Sequence, residues 1–66
     1  MELLILKSGE DYIRFKDGTD MRVGLEKASV FSMDQMDVVQ THRSRLVTHG
    51  LPDVCIKKLV LSEEEL

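Results

Sequence analysis

Few side chains in this sequence could do chemistry, and most of them lie between His42 and Lys58. One cysteine, Cys55, and two histidines, His42 and His49, make three potential metal ligands, where a structural zinc site takes four. His42 and His49 are also two helical turns apart, roughly 10 Å along an axis, too far to share an ion. No metal and no cofactor are expected. Cys55 with a histidine has the composition of a thiolate nucleophile, yet it sits in the apolar run Val54–Leu61, where a small inert thiol is the ordinary occupant. Asp34, Asp37 and the glutamates near Leu66 lack the enclosure and basic partners that tune carboxylates for acid–base work. Gly9, Gly18, Gly24 and Gly50 are scattered turn residues and form no phosphate-binding loop. These residues predict a protein that is not an enzyme and has no small-molecule substrate.

The basic residues allow a different chemistry. His42, Arg45 and His49 are spaced to share one side of a helix, and with Lys57 or Lys58 they could form an anion-binding strip. That would make a small regulatory nucleic-acid-binding protein. Two observations weigh against it. Asp34 and Asp37 open the helix and the basic residues close it, which is the arrangement that the helix dipole favours without any ligand. The net charge is −3, with 12 acidic against 9 basic residues, whereas nucleic-acid binders concentrate positive charge. Arg43 falls inside the apolar stripe of Met36, Val39, Leu46 and Val47. It would either hold a carboxylate or phosphate at a helix–sheet seam or lay its stem on apolar surface with its head in water; the second is preferred.

The helix that must position these groups is written out in full between Phe31 and Leu51. Ser32 and Gln35 form a capping box, with Phe31 and Met36 spaced as a hydrophobic staple. Gly50 supplies the left-handed residue at the other end, Leu51 can fold back on Leu46, and Pro52 forbids continuation. Ahead of it, Leu3–Leu6 reads as a strand covered on both faces, Ser8-Gly9-Glu10 as a reversal, and Tyr12–Lys16 as an alternating strand. Asp17-Gly18 marks a second tight turn, followed by a short strand over Met21–Val23. Leu25–Val30 fits either a helical turn or an irregular edge segment. Beyond Pro52, Val54–Leu61 is a strand with Val54 and Ile56 on one face and Cys55, Leu59 and Leu61 on the other, either covered on both sides or reset by a bulge at Lys57-Lys58. Ser62–Leu66 is an acidic tail expected to fray.

The order ββ(β)αβ predicts an α+β fold: a small, mostly antiparallel sheet of three to four strands with one helix on one face, forming a single domain over residues 1–61. With 66 residues, 42% of them hydrophobic, the chain is too apolar for disorder and too short to divide. The four-residue run Leu3–Leu6 is neither an export segment nor a membrane span. With a single cysteine, the expected location is the cytoplasm. The opening hairpin, the segment Lys27-Ala28-Ser29-Val30-Phe31, a helix carrying Met36, Val39 and Leu46, then Gly50 and a closing strand resemble a loose group of small bacterial and phage-associated proteins of unknown function. The resemblance covers about the last two-thirds of the chain. It implies the same fold and transfers no active site.

Apolar surface is in surplus. One helix shields one face of a sheet, yet the first and last strands carry apolar residues on both. The expectation is a protein-interaction module, a homodimer or a complex with another protein, joined through the open sheet face or a strand edge. The candidate contacts are Leu4, Leu6, Cys55, Leu59, Leu61 and Arg43. In the competing account the strands twist and cover part of the surplus themselves.

Overall fold

The computed structural model describes residues 1–66. Its elements are β1 (Glu2–Ser8), β2 (Asp11–Lys16), β3 (Thr19–Val23), β4 (Phe31–Ser32), α1 (Met36–Thr48) and β5 (Val54–Val60), with 3-10 turns at Leu25–Lys27 and Met33–Gln35. Both hairpins turn where residues tolerate positive φ. Gly9 alone does so in the first (φ 60°), while Asp17 (51°) and Gly18 (73°) both do so in the second, the pattern of a type I′ turn. No helix is long and apolar enough to cross a membrane.

All five strands join one sheet, with β1 at its centre. One edge of β1 is paired along its whole length with antiparallel β5, from Glu2 opposite Val60 to Ser8 opposite Val54. The other edge is divided. Lys7 and Ser8 pair with β2, whereas Leu3 and Leu4 pair with β4. The Ser29 amide donates to the Ile13 carbonyl at 3.0 Å, and the Phe15 amide donates to Ser29 Oγ at 2.9 Å. The stretch from Ser29 to Ser32 is thus wedged where β1 and β2 splay apart, and it satisfies main-chain groups that a simple hairpin would leave open. This resolves the Leu25–Val30 segment: a 3-10 turn crosses β2 and feeds a fourth, two-residue strand.

Alternation sorts the strand residues between two faces. Leu4, Leu6, Ile13 and Val54 meet Val39 and Leu46 of α1 in the core, with Phe15, Phe31, Leu51 and Ile56 packed around them. Ser8 is fully buried and its hydroxyl donates to the Pro52 carbonyl at 2.6 Å, which satisfies it and ties the end of β1 to the loop after the helix. Leu3, Ile5, Lys7, Cys55, Lys57 and Leu59 lie on the far face. The unbroken register of β1 with β5 excludes the bulge considered at Lys57-Lys58.

Both helix ends follow the sequence. The Ser32 amide donates to Gln35 Oε1 at 3.2 Å, completing a box that frames the 3-10 turn from which α1 grows. Gly50 (φ 91°) donates to the Val47 carbonyl and Leu51 to the Leu46 carbonyl, at 3.0 and 3.2 Å, a full Schellman closure.

Two expectations are corrected. Leu4 and Leu6 are not contact residues, because they fill the core beneath α1 at 1% and 0% exposure. The helix is also rotated relative to the expected stripe: Val39 and Leu46 face the sheet, whereas Met36 and Val47 are exposed. Residues 39 and 46 are two turns apart and set the face, which leaves His42 on its β2 side and Arg43 on its β5 side. A wheel weighted by apolarity could not foresee that a histidine would find an aromatic floor there.

Candidate functional site

On the β2 side, His42 stacks on Phe15 with ring centroids 4.3 Å apart at 25°, and Phe31 meets Phe15 edge-on at 6.1 Å. The Arg45 guanidinium lies 5.5 Å from the Phe15 ring centroid. Arg45 donates both Nη groups to the Asp20 carboxylate of β3, Nη2 at 3.1 Å, and Nη2 also meets His42 Nδ1 at 3.0 Å. The bond from Arg45 holds the Asp20 carboxyl below its usual 3.8 against the opposing pull of burial, and raises Arg45 in turn. These bonds engage the Arg45 guanidinium, the Asp20 carboxylate and His42 Nδ1 together, so the cluster clamps helix to sheet.

This placement dissolves the proposed basic strip. His42 and Arg45 are turned inward and half-buried, His49 is exposed at the end of α1, and Lys57 and Lys58 point to opposite faces of β5. The sequence carried no signal that Asp20 or Phe15 would recruit them; only the strand pairing brings these residues under the helix. Lys58 instead reaches Glu2 at 3.1 Å. No three His, Cys, Asp or Glu side chains converge on a point where a metal could sit.

On the β5 side the groups stay open. Arg43 is exposed and its Nε donates to the Val54 carbonyl at 3.1 Å. Beside this bond lies a shallow cleft of about 400 Å³ lined by Gln40, Arg43, Ser44, Cys55 and Ile56. Met1 and Leu61 exchange both main-chain bonds, at 3.0 and 2.7 Å. In an antiparallel ladder bonded pairs alternate with non-bonded ones. It follows from the register that Leu59, Lys57 and Cys55 bond to β1, while the main-chain groups of Val54, Ile56, Lys58 and Val60 point away from it. Arg43 occupies the Val54 carbonyl; Ile56, Lys58 and Val60 have no partner.

The far face is less oily than expected. Ile5 is only 3% exposed there, among Leu3, Lys7, Lys57 and Leu59, and Leu3, Cys55 and Leu59 are half-buried. Ile5 sits on the central strand with Lys57 directly opposite it, so its same-face neighbours shield it. Exposed apolar surface gathers instead at the far end of β5, on Met1 (81%), Val60 (63%) and Leu61 (44%). Met1 and Val60 are contact candidates that sequence reasoning passed over; the signal available was their position at the unpaired end of an edge strand.

The architecture is a small α+β domain: one helix on a five-stranded antiparallel sheet, with β3 and β5 as its outer strands. No known protein family, no characterised protein and no solved structure matches the chain.

Proposed function

We propose that this domain is a non-enzymatic, cytoplasmic protein-interaction module that receives an extended acidic segment of a protein along the outer edge of β5. The observation that carries the reading is the row of outward main-chain groups at Ile56, Lys58 and Val60 on a seven-residue edge strand. An extended chain added there gains main-chain hydrogen bonds, and its alternate side chains meet the two faces of the sheet. Lys57 and Lys58 lie one on each face and are both exposed; Lys57 is open to a carboxylate, and Lys58 can bridge one to Glu2, its neighbour at 3.1 Å. They also guard the edge, because two β5 strands centred on one another would bring their lysines together.

The test is a titration of isotope-labelled protein with a soluble extended peptide in which valines flank a pair of adjacent glutamates, one for each face, followed by amide chemical shifts. Shifts centred on Ile56, Lys58 and Val60 are expected, weakening with salt. They should be lost in a synthetic chain carrying N-methyl-Lys58, which lacks one outward donor and keeps the charge. Shifts elsewhere only, or none, would overturn the reading.

A further inference from the structure

We infer that the acidic segment is supplied by a second copy of this chain: two protomers pair antiparallel about a two-fold axis through Leu61, each setting its Lys57 and Lys58 opposite Glu65 and Glu64 of the other. This rests on the β5 edge being a docking strand and adds the occupant and the register.

The outward groups of β5 belong to even-numbered residues. A two-fold pairing must therefore set even opposite even, which requires the axis to pass through a residue. Each choice of residue has a definite charge outcome. An axis through Lys57 or Lys58 opposes that lysine to itself. Through Leu59, both lysines face apolar residues. Through Val60, only Lys57 meets a glutamate, and Ile56 is left facing Glu64. Through Ser62, Lys58 faces Leu66. Only the axis through Leu61 sets both lysines directly opposite a carboxylate of the second copy, Lys58 in addition to its own Glu2, and the same register sets Ile56 opposite Leu66.

A second observation falls on that axis. Met1, Leu61, Ser62 and Glu63 line a notch of about 530 Å³, flanked by exposed Val60. Leu61 lies on the far face, so the axis brings the two Leu61 side chains together beside Met1 and covers exposed apolar surface on that face. Ser62–Leu66 is exposed and has no regular secondary structure, so the segment is available to extend the ladder beyond Leu61. The lysines that forbid pairing at the centre of β5 thereby favour the register shifted toward the acidic tail.

Sedimentation of the full chain from micromolar to millimolar concentration tests this. A dimer whose Kd rises with salt is expected. Glu64→Lys with Glu65→Lys should weaken it by more than about tenfold, since matched cross-strand pairs become like-charged, and Lys57→Glu with Lys58→Glu should do the same. Mixing these two charge-reversed chains should restore a dimer, as should one chain carrying all four changes. Circular dichroism checks that each variant is folded. A wild-type chain that stays monomeric, or a dimer indifferent to either reversal, would overturn the inference. Monomeric protein that still shows peptide-induced shifts at Ile56, Lys58 and Val60 would remove the second copy and leave the docking edge. Loss of those shifts would remove both.

Discussion

The two edges of the sheet are finished in opposite ways. β3 is five residues long; the helix reaches across to hold it through Arg45 and Asp20, and Arg22 ties it to Asp11 of β2 at 3.3 Å. β5 is seven residues long and runs on into an exposed tail; the helix touches its outer edge only through Arg43. Arg43 and Arg45, two positions apart on one helix, thus serve opposite margins. One margin is closed by a paired charge at a half-buried site. At the other, a single side chain caps one carbonyl and leaves the outward main-chain groups of Ile56, Lys58 and Val60 unanswered. An edge strand is a liability unless something covers it, and of the two outer edges β5 offers the longer one, continued by an exposed tail that another chain can meet.

Removing the support common to both edges should have the largest effect. Leu46 is fully buried against the sheet, and Leu46→Ala is expected to cost about 2–5 kcal/mol, a large part of the stability of so small a domain; urea unfolding measures it. Next is the clamp that distinguishes the two margins. Arg45→Met should destabilise by about 1 kcal/mol, because its bonds to Asp20 are bidentate but partly exposed. Arg43→Met, which removes one exposed bond to the Val54 carbonyl, should cost no more than about 0.5 kcal/mol. Equal losses from the two substitutions would mean that the margins are not held as differently as their bonding shows.

Acid should loosen the β3 margin selectively. Asp20 has a folded value below its usual 3.8, so its stabilising contribution is fully present above that pH and is lost as pH falls through the lower folded value. Urea midpoints measured across that range should therefore fall in the wild type, and the Asp20→Asn variant should show a smaller decline. An identical acid response in the two would remove Asp20 from the account. The smallest effect is expected at Val47, 50% exposed, where Val47→Ala should stay within about 0.5 kcal/mol.

The elements legible in the sequence were those with local chemistry: the Gly50 stop, the capping box at Ser32 and Gln35, the Asp17-Gly18 turn and the alternation of Tyr12–Lys16. β4 was not legible. Its strand character comes from being wedged between β1 and the splayed β2, a long-range circumstance that leaves no local pattern. The inward turn of His42 was hidden for the same reason, since its partner Phe15 is 27 positions away and reaches it only through the sheet. The two faces of β5 were read correctly from alternation, but which face the helix covers depended on Val39 and Leu46 outweighing Met36 and Val47. The candidate edge was half visible: the lysines stood out, whereas the outward direction of the Ile56, Lys58 and Val60 amides required the register against β1.

Amide hydrogen exchange along β5, followed as the protein is concentrated, tests the open edge most directly. In dilute solution Cys55, Lys57 and Leu59 should exchange slowly and Ile56, Lys58 and Val60 rapidly; on concentration the rapid set should slow while the slow set changes little. Uniform protection of all six in dilute solution, or rapid exchange at Ile56, Lys58 and Val60 that never slows as concentration rises, would contradict a β5 edge that is free in the monomer and paired with a second copy.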